Sequence, residues 1–259
     1  MNQDIKRKLS LSVYLARMEF ERRFAGSMGG KLWVFAGPFL TIAVIWVALD
    51  YGLGLRGSVG PDYGMSLAVG LCCWLFFSEA VNTAMGSITG QPHLVKKVVF
   101  PVILLPVANI LVAFAVHLVI LAFVILVVLL QGKTPGIGVL LLPFWIGCLF
   151  VLTLSVALLV AALNVLVRDT AALVPNVISF LFWITPIIWP VSQLTGDWYL
   201  IAWLNPAAII IDGYRSALLG TEPLLSGAGT AIFALVLAAF AAASVIIFRR
   251  LRLMFADVM

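Results

Sequence analysis

PVANILVAFAVHLVILAFVILVVLL, residues 106–130, runs for 25 positions without a charge, and its only strongly polar side chains are Asn109 and His117. A helix rises about 1.5 Å per residue and a bilayer core is about 30 Å thick, so about 20 apolar residues cross it. The stretch therefore reads as a membrane span. Extended back to Val98 it would hold 33 residues, about 50 Å of helix, too long for the core without strong tilt. Pro101 and Pro106 place a bend or break near that start. Residues 98–105 are thus expected to lie at the interface as a lead-in segment.

Five more runs have the same character: 32–49, 65–85, 138–164, 171–189 and 229–248. Six spans predict an all-α integral membrane protein with one membrane domain. Composition agrees: 63% of residues are hydrophobic and 10% charged, where a water-facing surface calls for about 25%. The mean hydropathy is +1.16. The first thirty residues hold Lys6, Arg7, Lys8, Arg17, Glu19, Glu21, Arg22 and Arg23 and no apolar core for a signal peptide. Cys72, Cys73 and Cys148 sit inside apolar runs without a C-x-x-C pair. They read as small buried hydrophobes, not as metal ligands.

Lysine and arginine give the orientation. Six spans put the N-terminus, the 86–100 loop, the 165–170 loop and the C-terminus on one face. That face collects Lys6, Arg7, Lys8, Arg17, Arg22, Arg23, Lys31, Lys96, Lys97, Arg168, Arg249, Arg250 and Arg252, against Arg56, Lys133 and Arg215 on the other. Both termini are therefore expected in the cytoplasm. The domain plan is a cytoplasmic N-terminal region 1–31, a transmembrane domain 32–250 and a cytoplasmic tail 251–259. The net charge of +5 follows from this bias and from attraction to anionic lipid heads, so it implies no nucleic acid.

Two segments outside the spans project as helices. In 10–24, Leu11, Tyr14, Leu15 and Met18 form one apolar stripe, and Val13, Phe20 and Phe24 form a second on the opposite side. Two stripes fit a helix on the inner leaflet that also touches protein; an ordinary juxtamembrane helix with scattered apolar residues is the alternative. Residues 189–223 are too broken by Pro and Gly to span, yet too apolar for a free loop. Asn205-Pro206 is a helix start, with Asn as the cap and Pro in the first turn. Beyond it Ile210, Ile211, Tyr214, Ala217 and Leu218 share one face. Asp212, Arg215 and Ser216 share the other, with Asp212 and Arg215 placed to pair. The expectation is a re-entrant helical pair at the outer face, anchored by Trp198, Tyr199 and Trp203.

Catalytic patterns are missing. Gly132-Lys133-Thr134 ends like a phosphate-binding loop, but the first glycine's place is held by Val127 inside a span. Gly26 to Lys31 lacks the final Ser or Thr. His117 lies mid-span, as expected of a histidine hydrogen-bonded between helices, far from His93. Glu79 is the one acid well inside a span, and an acid at that depth needs a partner or water. Together with Ser78, Asn82, Thr83, Gly86 and Ser87 it forms a polar side. That side suits an aqueous path or, equally, a clasp between helices.

HLVKKVVFPVILLPVAN (93–109), LNVLVRDTAALVPNVISFLFWITPIIWP (163–190) and WLNPAAIIIDGYRSALLG (203–220) resemble the membrane subunits of ABC-type polysaccharide exporters. EFERRFAGSMGGKLWVFAGP (19–38) and RRLRLMFADVM (249–259) fit as well. The likeness is nearest to exporters of lipid-linked O-antigen, with capsule and teichoic-acid exporters related. It implies two copies of this chain around a channel and two separate cytoplasmic ATPase subunits, which would bind ATP and Mg. This chain itself would carry no cofactor. It also implies that 86–105 couples the two halves through His93, Leu94, Val95, Lys96, Lys97, Val98, Val99 and Phe100. Plain positive-inside anchoring accounts for the two lysines equally well. The resemblance further implies an interface helix at 10–24 and an outer gate at 192–219, the latter involving Trp198, Tyr199, Asp212, Tyr214 and Arg215. Aromatic rings suit sugar C–H faces. Trp74, Phe76, Phe77, Phe144, Trp145, Phe180, Phe182, Trp183 and Trp189 are therefore candidates for a substrate path, with Glu79 and Asn82. Permeases for drugs or simple lipids, ion-coupled carriers and membrane enzymes are the competing classes; the missing catalytic set speaks against the last.

Overall fold

The computed structural model describes residues 2–24, 32–55, 57, 60, 62–95, 100–133, 136–191 and 196–258. Among these, every regular element is helical. The principal helices are α1 (Asn2–Phe24), α2 (Leu32–Trp46), α3 (Tyr63–Met85), α4 (Leu104–Leu130), α5 (Leu142–Leu166), α6 (Thr170–Ile184), α7 (Asp197–Leu204), α8 (Pro206–Leu219) and α9 (Ala228–Leu251). Short turns flank them at Pro92–Val95, Ile137–Leu141, Arg252–Met254 and Phe255–Val258.

Five stretches are long and apolar enough to cross a membrane: Leu32–Gly52, Tyr63–Met85, Leu104–Leu130, Ile137–Leu166 and Ala228–Met254. The remaining apolar run, expected over 171–189, forms a helix of only 15 residues. Its early stop has a local cause. Proline forces the residue before it away from helical geometry, and Thr185, before Pro186, is extended at φ −76°, ψ 134°. The break expected near Pro101 is present: 102–103 form a turn and α4 begins at Leu104. Pro106 sits in the first turn of α4, where its missing N–H costs nothing. Two irregularities have no signal in the sequence pattern. The first span ends in a π-helical turn, Val47–Gly52, and α5 is preceded by the 3-10 turn Ile137–Leu141.

The bundle is built around α3. Of its apolar window 78% is buried, against 6% for Leu32–Gly52 and 17% for Ala228–Met254. Helices α2, α4, α5, α6 and α8 all pack on it. Two loops meet at one end, where Lys133 pairs with Asp62. At the opposite end Asn164 Nδ2 donates to the Met85 carbonyl at 3.1 Å and reaches Thr89 Oγ1 at 3.4 Å. A second cluster closes that end, with Ile88, Val102, Leu105, Leu158, Val165, Phe248 and Phe255. The expected tail is therefore partly inside the fold, because Phe255 is buried against Phe248 with ring centroids 5.9 Å apart.

Helix α1 is longer than the expected 10–24 and packs on α4. Of the two expected apolar stripes, Leu11, Leu15 and Phe20 are half-buried, the side chain of Phe24 lies outside the described residues, and the most buried positions are polar. Val13, Tyr14 and Met18 are exposed, while Ser12 and Glu19 are buried. The Arg22 guanidinium forks onto both Glu19 oxygens at 3.0 and 3.1 Å, which satisfies the buried carboxylate.

Candidate functional site: a buried anchor, an aromatic groove and a coupling segment

The hairpin at 189–223 consists of α7 and α8, joined at Asn205. As expected, Asn205 caps α8: its Oδ1 accepts the N–H of Ala207 at 3.0 Å and of Ala208 at 3.4 Å. Its Nδ2 donates to Thr185 Oγ1 at 2.9 Å. Gly220 closes the helix in the left-handed region at φ 70°, which a glycine tolerates without strain.

The polar face expected on α8 does not face water. Asp212 is 7% exposed and Arg215 2%, so this helix is buried on all sides. Nor do the two residues pair. Arg215 Nε donates to the Ser66 carbonyl at 3.1 Å, one terminal nitrogen to Pro186 O at 2.8 Å and the other to Ile187 O at 2.6 Å. Asp212 Oδ2 accepts the Leu224 N–H at 2.6 Å. Backbone outside a helix is tolerated at membrane depth only where protein or water satisfies it. Arg215 supplies those donors to the segment that the early stop of α6 leaves bare. The cation also lies beyond the C-terminus of α6, where the helix dipole favours it.

Tyr214 is wholly buried and meets His117 of α4, Oη to Nε2 at 3.1 Å. His117 Nδ1 faces the Cys72 carbonyl of α3 at 3.3 Å. A carbonyl only accepts, so Nδ1 carries the proton and Nε2 receives the tyrosine hydroxyl. His117 is thus hydrogen-bonded between helices, as its position in the span suggested. Gly213 allows close contact on the other side, since a Cβ there would stand 2.3 Å from the Trp145 ring.

The proposed path aromatics divide into separate groups. Trp74, Phe77, Phe182 and Trp183 form a chain, with centroids 5.4 Å apart for Trp74–Phe77, 5.9 Å for Trp74–Phe182 and 5.3 Å for Phe182–Trp183. Trp74 and Phe77 line a groove of about 420 Å³, with Leu181 and Ile184 of α6, Ile201 and Leu204 of α7, and the Thr185–Asn205 pair. Phe76 turns away from it and stacks near His117, 5.0 Å between centroids. Trp145 is buried, between Gly213, Phe144 at 5.1 Å and Phe233 at 6.4 Å. Phe180 is exposed and Trp189 half-buried. The hairpin aromatics Trp198, Tyr199 and Trp203 are exposed as well.

Glu79 is exposed at the rim of a cavity of about 370 Å³ between α2, α3 and α4, with Trp33, Thr41, Ser78 and His117. Asn82, one turn on, is half-buried. Much of the polar side satisfies itself. Ser78 and Thr83 donate to carbonyls of their own helix, Leu75 and Glu79, at 3.3 and 2.8 Å, and Ser87, just past its end, donates to the Ala84 carbonyl at 2.6 Å. Such back-bonding lets hydroxyls sit in a membrane helix at small cost.

In the segment expected to couple to an ATPase, His93 is exposed, whereas Leu94 and Phe100 pack on the cluster around Ile88, Val102 and Phe248. The two ends of the segment thus grip the bundle itself. Lys96, Lys97, Val98, Val99 and the side chain of Val95 lie outside the described residues. A cleft of about 520 Å³ opens beside the segment, between Leu15, Met18, Glu19 and Arg22 of α1, Gln91 and His93, and Asn109 of α4. Among the described residues no group of three or more His, Cys, Asp or Glu is arranged to hold a metal ion.

The sequence pattern of ABC-2 type transporters matches residues 11–219, from within α1 to the last residue of α8. The O-antigen export system permease protein RfbA of Myxococcus xanthus is 27% identical over 229 residues, covering 86% of this chain and 87% of that protein. Two proteins of the same name from Klebsiella pneumoniae are 26% and 25% identical over 206 residues, covering 79% of this chain and 78% of theirs. The family match takes in α3 at the centre of the bundle, residues 86–105 and the Arg215 anchor. The chain belongs to the ABC-2 type transporter family of membrane proteins.

Proposed function

We propose that this chain is the permease subunit of an ATP-driven exporter that carries lipid-linked polysaccharide of the O-antigen kind across a bacterial inner membrane. The observation that carries this reading is the likeness to O-antigen export permeases along about four-fifths of both chains. Two copies form the channel, each with six spans and both termini in the cytoplasm. In this arrangement α6 serves as the fifth span, completed by the non-helical 185–190 segment that Arg215 holds. The loops joined by Lys133 and Asp62 lie outside, where few cations are found, and α7–α8 re-enters from that side. Two cytoplasmic ATPase subunits bind ATP with its Mg and grip the 86–105 segment. Their work reaches the spans through the cluster on which Leu94 and Phe100 are seated. The groove walled by Trp74, Phe77 and Leu181 is this chain's part of the path.

Deleting the gene in its host should remove surface polysaccharide, and the intact chain should restore it. The purified chain should hydrolyse no ATP alone and should copurify with an ATPase subunit. Unchanged surface polysaccharide in the deletion strain, or hydrolysis by the chain alone with contaminants excluded, overturns the assignment. For topology, Cys72, Cys73 and Cys148 are first replaced. Cysteines at positions 133 and 198 should then react with an impermeant thiol reagent in spheroplasts, and one at 97 should not. Labelling at 97 but not at 133 would invert the orientation.

A further inference from the structure

The end of α9 carries Arg249 and Arg250 in its last turn, and Arg252 opens the 3-10 turn that follows. One side of this segment is fixed. Phe248 and Phe255 are buried in the cluster at that end of the bundle, Leu251 packs on the same cluster, and Phe255–Val258 lies against α5. The other side is left out. Arg249, Arg250 and Arg252 are exposed, and so are Leu253 at 79% and Met254 at 50%. The outward side thus sets an apolar side chain four positions after a cation, twice: Arg249 with Leu253 and Arg250 with Met254.

These arginines differ from most of the other described cations. Arg17 and Arg22 meet Glu21 and Glu19, Lys133 meets Asp62, and Arg215 has its three carbonyls. Among the described residues no carboxylate pairs with Arg249, Arg250 or Arg252. A guanidinium forks onto phosphate oxygens as it does onto a carboxylate. Cations at a helix C-terminus also suit the dipole, but the dipole asks for no apolar neighbours. A basic cluster at the end of a span, with apolar side chains beside it, has both signals that hold a segment to an anionic leaflet. The span itself is lightly held, with 17% of its apolar window buried against 78% for α3.

We propose that the end of α9 is a binding site for an anionic phospholipid of the inner leaflet. Arg249, Arg250 and Arg252 take the headgroup phosphate, and Leu253 and Met254 lie among the first acyl carbons. Bound lipid fixes the depth of a span that the bundle grips on one side only. The proposal takes from the export reading only that this end is cytoplasmic, and it holds for any cargo.

Native mass spectrometry of the chain with its ATPase, titrated with phosphatidylglycerol or zwitterionic phosphatidylcholine, tests it. The unmutated chain should hold phosphatidylglycerol at least about tenfold more tightly. Arg249→Gln, Arg250→Gln and Arg252→Gln together should lower that affinity on the order of a hundredfold, and each alone about fivefold. The single variants carry the test if the triple one fails to fold. Leu253→Ser with Met254→Ser should weaken both lipids. Arg168→Gln is the control: Arg168 is exposed near the same cluster, two positions past Leu166, but stands beside Asp169. It should leave phosphatidylglycerol affinity within about twofold. Unchanged affinity in the arginine variants, or an equal loss from Arg168→Gln, overturns the proposal. Displacement of phosphatidylglycerol by inorganic phosphate would make this a free-anion site, and loss of the ATPase with phosphatidylglycerol retained would make it a protein contact; either overturns it. Lipid is measured without cargo, so the deletion strain and the thiol labelling above judge the export reading and the orientation separately.

Discussion

Arg215→Leu should destabilise the bundle by about 3–5 kcal/mol. The guanidinium donates to Ser66 O, Pro186 O and Ile187 O, and hydrogen bonds to a charged group are worth about 1.5–3 kcal/mol each. Removing the buried charge returns part of that sum, which keeps the net below the total. What remains is the Pro186 and Ile187 carbonyls without a donor, in a place where water does not readily replace one, while Ser66 O keeps its partner within α3. Arg215→Lys should recover less than half of the loss. A lysine is a point charge, unable to fork across two adjacent carbonyls while a third nitrogen reaches α3. The measurement is thermal unfolding of the detergent-solubilised protein with its partner, followed by fluorescence. The leucine variant should melt lower by on the order of 10 °C and accumulate poorly in membranes. Gly70 adds a second probe of the same seat, because a Cβ there would lie 2.9 Å from an Arg215 terminal nitrogen. Wild-type melting of Arg215→Leu would show that the Pro186 and Ile187 carbonyls are satisfied without it.

This anchor marks where sequence reading stops working. The apolar runs located the five helices long enough to cross a membrane, because hydrocarbon demands length and lack of charge, and both are local. The cap at Asn205 was legible for the same reason: donor and acceptor lie two or three residues apart. Asp212 and Arg215 looked like a solvent-facing pair because helical spacing places them side by side. Their partners are backbone groups 12 to 149 positions away, and no periodicity in α8 reports a carbonyl on α3. The early stop of α6 was within reach, since Thr185-Pro186 is a helix-ending pair, but the hydrophobicity of Ile187, Ile188 and Trp189 carried the expected span past it. The Ser12–Glu19 face of α1 was hidden differently. An acid on the buried side looks wrong until Arg22, three residues on, neutralises it.

The aromatic candidates teach the same point at the site. Trp74, Phe76 and Phe77 are neighbours in sequence, yet a helix turns 100° per residue, so Phe76 enters the His117 stack while Trp74 and Phe77 face the groove. Composition nominated all three, and only the packing of α4 and α6 around α3 separates them. Trp145 belongs to the buried side too, held by the missing side chain of Gly213.

Phe100→Asp should uncouple ATP hydrolysis from export. Phe100 and Leu94 pack on the cluster that joins the ends of α4, α5 and α9, and burying such a side chain is worth roughly 1.5–3 kcal/mol. A carboxylate in that place releases one end of the segment from the spans it is meant to move. On the proposed arrangement the ATPase keeps its hold on the exposed His93 side, so copurification and hydrolysis should persist while surface polysaccharide falls about tenfold or more at matched membrane levels. Lys96→Gln with Lys97→Gln should do less, because an exposed ion pair contributes only about 0–1 kcal/mol. Eleven other cations remain on the side expected to be cytoplasmic. Phe255→Ala is the control for general softening. It opens a hole in the same cluster from the C-terminal side without changing a residue of the segment, so it should lower stability and leave hydrolysis coupled. Uncoupling by Phe255→Ala as strong as by Phe100→Asp would mean that the cluster matters only as packing. Loss of export from the lysine pair alone, with Phe100→Asp active, would make the segment an electrostatic contact and remove its role as a lever.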